Sequence, residues 1–171
     1  MISLLEKAPN FRASAVVGRG DFKEISLADY QGKYVVLFFY PLDFTFVCPT
    51  EIMEFSRRSN EFKAINTQIL GASCDSKYSH KAWVDNGLGE LNYPLVADFT
   101  KEIAKAYDCL LPEGFPARAT YIIDPEGLVQ YIAINNPNVG RSVTETLRVL
   151  EAIQTGARCP VEWRKGDKPL P

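Results

Sequence analysis

Apolar positions along this chain fall in short runs separated by polar turns. The first strong run is YVVLFFY, Tyr34 to Tyr40, β-branched and aromatic and bounded by QGK and PLD, which predicts a buried strand. After Cys48 the period changes: Ile52, Phe55 and Phe62 recur on one helical face, Pro49 suits a first helical turn, and Glu51 complements the positive end of such a helix. A strand therefore hands over to a helix through a short loop, with Cys48 at the helix start. INTQILGAS reads as a second strand, YSHKAWVDNGLG as a helix stopped by Gly87, NYPLVAD as a short strand and TKEIAKAY as a helix. ATYIID and LVQYIAI, joined by the turn residues Pro125-Glu126-Gly127, predict a hairpin. Ser142 with Glu145 three residues on is a capping box, opening a helix whose Val143, Leu147 and Leu150 share a face before Gly156.

The resulting order, βα, βα, βα, ββα, predicts an α/β sandwich with a mixed central sheet and flanking helices. No repeat, linker or charge block marks an internal boundary, so residues 1–156 are expected to form one domain. Beyond Gly156 the segment ARCPVEWRKGDKPLP is rich in Pro and charge and lacks any period, which predicts an extended C-terminal tail over residues 157–171. That tail nevertheless carries a cysteine and a tryptophan, which a solvated segment has little reason to hold.

At 171 residues with 46% hydrophobic positions, the chain can bury one sizeable core. Nineteen basic against twenty-one acidic residues, with no basic run, offer no patch to neutralise phosphates, so nucleic acid is not expected as a partner. The opening MISLLEKAPNFRAS lacks the order of features of a secretory signal, and the run from Tyr34 to Tyr40 is too short to span a bilayer. A cytoplasmic protein without membrane partners is the expectation.

Four cysteines, Cys48, Cys74, Cys109 and Cys159, are too few and scattered for the disulfide framework of a small secreted domain. With one histidine, His80, and no Cys/His cluster, no metal site is expected. Cys74 in ILGASC and Cys109 in YDCLL stand among apolar neighbours and are assigned to packing. Cys48 differs, because the unpaired N–H groups and positive dipole end of a helix start favour thiolate over thiol, and the thiolate is the nucleophile. Thr45, three residues earlier, is placed either to bond the sulfur or a bound oxygen, or simply to satisfy local backbone. Pro41 either walls a pocket or merely ends the strand. Thiolate activation also calls for a permanent cation; Arg118 and Arg141 are candidates, but spacing alone brings neither to Cys48.

FFYPLDFTFVCPTEI resembles the active-site segment of the peroxiredoxins, whose pattern P-x-x-x-T-x-x-C is matched by Pro41, Thr45 and Cys48. SHKAW, ARATYIIDPEG, NVGRSVTETLRVLEA and CPVEW resemble the typical two-cysteine branch, which includes the alkyl hydroperoxide reductase peroxidase subunit, so the resemblance runs the length of the chain. It implies a thioredoxin-like sandwich and a peroxidase needing no bound cofactor. Cys48 would attack the O–O bond of hydrogen peroxide or a small organic hydroperoxide and become a sulfenic acid. Thr45 would bond the peroxide, Arg118 would stabilise the thiolate and the developing oxygen charge, and Pro41 would shield the pocket. Glu51 and Arg141 match positions that hold the arginine network. Cys159 matches the resolving cysteine, contributed by the partner subunit of a homodimer, and dimers of this branch commonly form decameric rings. Thioredoxin or a flavoprotein disulfide reductase would reduce the disulfide.

Where members sensitive to overoxidation carry Gly-Gly-Leu-Gly, this chain has Asn86-Gly87-Leu88-Gly89, and it ends at Pro171 without their Tyr-Phe, from which a less tethered tail and resistance to overoxidation are expected. Three other readings compete. A thioredoxin-type thiol-disulfide oxidoreductase needs a nearby partner thiol, but the residue three after Cys48 is Glu51. A cysteine protease needs a partnering histidine, and His80, in a helical segment, is more simply structural or solvent-facing. An oligomeric holdase chaperone is required by no feature of the sequence.

Overall fold

The computed structural model describes residues 2–171. The chain divides after Arg141 into two compact units, each described by itself.

The first unit is built on a seven-stranded mixed sheet. Its elements are β1 (Arg12–Gly18), β2 (Asp21–Ser26), β3 (Tyr34–Phe39), α1 (Cys48–Arg57), α2 (Ser59–Ala64), β4 (Thr67–Ser73), α3 (Lys77–Trp83), β5 (Leu91–Ala97), α4 (Glu102–Ala106), β6 (Arg118–Ile123) and β7 (Val129–Asn135). The sheet order is β2-β1-β5-β4-β3-β6-β7. β3, β4 and β5 run parallel, joined by helical crossovers, while β6 pairs antiparallel with β3, and the β1–β2 and β6–β7 hairpins flank the centre. This is the expected thioredoxin-like α/β sandwich with helices against the sheet.

β3 carries no polar residue because it is covered on both faces. Val35, Leu37 and Phe39 join Ile103, Ala104 and Tyr107 of the α4 region in one core. Val36, Phe38 and Tyr40 alternate to the opposite face, where Phe38 stacks on Phe55 of α1 at 4.6 Å and meets Tyr93 edge-on at 5.8 Å. Gly71 of β4 lies opposite both Phe38 and Leu95 in register, and a Cβ there would come within 2.8 Å of one ring and 2.9 Å of the other side chain. The absent side chain makes room for the central aromatic layer.

Two sequence expectations are corrected, and one hairpin goes beyond them. The helix after Cys48 is two helices, because Arg58 leaves helical geometry at φ −97°, ψ 8° between them, although Ile52, Phe55 and Phe62 are all fully buried as their spacing predicts. α3 does not stop at Gly87. It runs on into a single π-helical turn, Val84–Leu88, that contains Gly87 and most of the Asn86–Gly89 segment, and ends at Gly89, whose φ of 72° only glycine adopts freely. The hairpin β1–β2 was not foreseen, since β1 is only partly buried and alternates weakly; the turn Gly18-Arg19-Gly20, with both glycines at positive φ, is the signal that could have found it.

The second unit is α5 (Val143–Gln154) and the segment that follows. Ser142 caps the helix as predicted, its Oγ accepting the Glu145 N–H at 3.1 Å. Past Gly156 there is no helix or strand, only an isolated bridge between Arg158 and Leu170. Yet the tail, though mostly exposed, is pinned at a few points. Trp163 is buried, donates its indole N–H to the Asp167 carbonyl at 3.0 Å, and accepts from Arg148 at 3.0 Å, while Lys165 pairs with Glu151 of α5. Among the described residues no helix is long and apolar enough to cross a membrane.

Candidate active site

The site forms where β3 ends at the centre of the sheet. Open α/β sheets gather ligands outside the carboxyl ends of their strands, where crossovers diverge, and β3 here has parallel β4 on one side and antiparallel β6 on the other. Cys48 is the first residue of α1, with Val47 as its cap and Pro49 in the first turn. Its amide is one of the donors that a helix start leaves without an intrahelical partner, and its side chain is fully buried.

Around this thiol the fold gathers three charged side chains that lie far apart in sequence. Arg118, the first residue of β6, points Nη1 at Cys48 Sγ from 3.4 Å and donates from the same nitrogen to Glu51 Oε2 at 2.7 Å, with Nε bound to the Pro137 carbonyl at 2.6 Å. Glu51, one turn into α1, also accepts the backbone N–H and Nε of Arg141 at 2.8 and 2.9 Å. Arg141 reaches the carbonyls of Ala119 and Phe39 and the hydroxyl of Thr120, and lies over the Phe38 ring at 5.0 Å. The side chains of both arginines are only 4% exposed and that of Glu51 2%. Burial holds the Arg141 guanidinium below its ordinary value, against the Glu51 carboxylate, which raises it; an arginine stays charged nonetheless. Two buried cations thus face one carboxylate and one thiol. The sulfur therefore sits in a cluster that carries a net positive charge before the thiol is counted.

Of the residues singled out in the sequence, the fold brings together Cys48, Glu51, Arg118 and Arg141. Pro41 is buried in the loop between β3 and α1. Thr45 is half-buried in that loop and donates its hydroxyl to the Leu42 carbonyl at 2.9 Å, the local backbone bond that the sequence left open as one alternative. Cys159 belongs to the second unit, where its Sγ is 3.4 Å from Thr155 Oγ1 and 3.7 Å from the Ala152 carbonyl at the end of α5. Cys74 and Cys109 lie elsewhere, and burial pushes both thiols up to about 12, which suits packing rather than reactivity. Among the described residues all four cysteines are free, and no cluster of three or more His, Cys, Asp or Glu is arranged to hold a metal ion.

His80 is structural rather than solvent-facing, the first of the two alternatives that the sequence leaves open. It is fully buried, with Nδ1 2.8 Å from Asp43 of the β3–α1 loop and Nε2 3.1 Å from the Val96 carbonyl. Nothing in the spacing of Asp43 and His80 signals this pairing, which depends on α3 packing beside the loop.

Comparison with known proteins places this geometry. Residues 4–132 match the AhpC/TSA family. The chain is 53% identical over 175 residues to the chloroplastic 2-Cys peroxiredoxin BAS1 of Hordeum vulgare, covering 96% of this chain and 83% of the relative. It superposes on the reduced 2-Cys peroxiredoxin of Plasmodium vivax with a TM-score of 0.93 at 43% identity, over 97% of this chain and 91% of that one. AhpC of Enterococcus faecalis matches over 100% of both chains with a TM-score of 0.89 and 35% identity. With likeness over nearly the full length in sequence and in fold, the chain belongs to the AhpC/TSA family, as a peroxiredoxin of the two-cysteine type.

Proposed function

We propose that this protein reduces hydrogen peroxide and small organic hydroperoxides, using Cys48 as nucleophile and Cys159 as the thiol that resolves it. The observation that carries the reading is the Arg118 guanidinium 3.4 Å from a buried sulfur at a helix start, with Glu51 fixing both arginines. The thiolate attacks one peroxide oxygen, so that an S–O bond forms as the O–O bond breaks. The other oxygen leaves as hydroxide or alkoxide and takes up a proton. Arg118 stabilises the charge that grows on the departing oxygen, while Arg141 acts through Glu51 to hold Arg118 in place. Pro41 walls the pocket. Thr45 serves the peroxide by rotating its hydroxyl from the Leu42 carbonyl toward the bound oxygen.

Cys159 of a partner subunit then displaces water from the Cys48 sulfenic acid, giving an intersubunit disulfide. A disulfide needs Cα atoms within roughly 7 Å, and Cys48 is fully buried, so the first turn of α1 must unwind in every cycle. That turn is closed by Thr50, whose N–H and hydroxyl both bond the Val47 carbonyl, at 3.1 and 2.6 Å. A dithiol protein, thioredoxin or a flavoprotein disulfide reductase, restores both thiols through a mixed disulfide. The working unit in this reading is a cytoplasmic homodimer, assembled further into a decameric ring, with residues 1–156 as the catalytic domain and residues 157–171 as the tail that delivers Cys159.

Non-reducing electrophoresis after one equivalent of peroxide tests the reading. Wild type should run as a disulfide-linked dimer, whereas Cys48→Ser and Cys159→Ser should not. Full dimer formation by Cys159→Ser would transfer the resolving role to another cysteine, and peroxide consumption by Cys48→Ser would sink the assignment of the nucleophile.

A further inference from the structure

The loop between β3 and α1 carries Pro41 and Thr45 and leads directly into Cys48. It is fastened at one buried point, Asp43. The Asp43 carboxylate accepts the Tyr40 hydroxyl on Oδ1 at 2.9 Å, and the Ser79 hydroxyl and His80 Nδ1 on Oδ2 at 2.7 and 2.8 Å. The backbone N–H of Asp43 donates to Asp75 Oδ2 at 2.9 Å, and Asp75 is itself held by the Ser73 hydroxyl at the end of β4. On its far side the His80 ring meets the Val96 carbonyl of β5. The Asp43 and His80 side chains are 1% and 0% exposed. One loop side chain is thus tied to α3 directly and, through its neighbours, to the ends of two parallel strands.

The next residue repeats the attachment by different means. Phe44 has φ 55°, a backbone conformation that few residues other than glycine tolerate, and its ring lies against Trp83 of α3 at 5.5 Å. Both anchors of the loop are therefore on α3. A buried pair of hydrogen-bonded polar side chains adds little net stability, since desolvation offsets its attraction, but it fixes geometry because its partners cannot be exchanged for water.

We propose that Asp43 and His80 form a latch that positions the β3–α1 loop and so sets the balance between two states of Cys48. Closed, the latch holds the loop against α3 and keeps the start of α1 wound with the sulfur beside Arg118. Loosened, it frees the loop, and the first turn unwinds more readily to release the sulfur. Both are positioning residues; neither touches the thiol. The latch rests on the reading of Cys48 as the peroxide-reactive nucleophile, and it adds that the two half-reactions are coupled in opposite senses through this pair.

Stopped-flow measurement of the two half-reactions separates this from a general structural role. Losing the charge of one partner removes charge-assisted hydrogen bonds, which corresponds to about tenfold or more in an equilibrium. Asp43→Asn should lower the rate constant for peroxide by about tenfold and raise the rate of disulfide formation from the sulfenic acid several-fold. Ser79→Ala, which removes one donor and leaves the Asp43–His80 bond, should move both constants in the same directions by about two- to threefold. His80→Asn, whose amide can reproduce the Nδ1 donor, should lie closer to wild type than His80→Ala does. A folded Asp43→Asn with both constants within twofold of wild type, or with both reduced together, overturns the latch. If Asp43→Asn does not fold, unchanged constants in Ser79→Ala overturn it instead. Failure of wild type itself to consume peroxide would overturn the peroxidase reading beneath it, and active wild type with unchanged variants would overturn the latch alone.

Discussion

Replacing Arg118 by Met keeps the aliphatic stem and removes the guanidinium, which isolates the charge proposed to drive the peroxide step. Two effects should follow, and their sizes come from what Arg118 touches. As the donor nearest the sulfur, at 3.4 Å, it sits where charge develops. Loss of one such preorganised donor typically slows a reaction by about 10²–10³, or roughly 3–4 kcal/mol. As a structural group it also binds Glu51 and the Pro137 carbonyl in a site 4% exposed. Removing one partner of a buried pair costs about 3–5 kcal/mol, but Glu51 keeps Arg141, so the lower figure applies. For a domain of this size that is a fall of about 6–12 °C in Tm. Arg118→Lys retains the charge but has no fork with which to reach the sulfur, Glu51 and Pro137 together, so it should fall between the two. Peroxide rate constants from competition with a peroxidase of known rate, set beside thermal melts of the reduced proteins, test both effects. A Met variant whose peroxide rate stays within threefold of wild type would refute the proposed role of Arg118.

Three further outcomes are expected. Glu51→Gln leaves two buried guanidiniums without a carboxylate and should lower stability by about 3–5 kcal/mol in urea unfolding; a change under about 1 kcal/mol would show that water reaches the cluster. Burial holds the Asp98 carboxyl above its ordinary range, although the N–H groups of Ala104 and Ile103 pull it down. An acid whose folded value is raised binds its proton more tightly folded than unfolded, so stability should fall as pH rises from about 3.9 through that folded value, and Asp98→Asn should flatten the slope. Matching slopes for the two proteins would contradict this. Finally, with their thiols pushed up to about 12, Cys74 and Cys109 should react with iodoacetamide at pH 8 about 10³-fold more slowly than a thiol of ordinary acidity near 8.5. Mass spectrometry of the alkylated chain that found one of them labelled early would contradict the packing assignment of that cysteine.

What the amino-acid order by itself determined is local. The unbroken run Tyr34–Tyr40, the helical recurrence of Ile52 and Phe55, and the Ser142 cap each state their element through a period or a capping bond reaching no more than a few residues. Cys48 at a helix start was legible for the same reason, since a strand, a proline and an acidic first turn lie side by side. Resemblance over the whole chain named the other site residues, but the residues themselves did not say what they touch. That Arg118 lies 70 positions from Cys48 and 3.4 Å from its sulfur follows from β6 pairing beside β3, a consequence of sheet order that no local pattern encodes. The break between α1 and α2 was missed because no proline or glycine announces it, and the hairpin β1–β2 because its first strand alternates weakly, although the turn Gly18-Arg19-Gly20 was there to be read. The bond between Asp43 and His80 was wholly invisible. A buried aspartate and histidine carry the same letters as exposed ones, and only tertiary packing decides which of them loses its water and must find a partner.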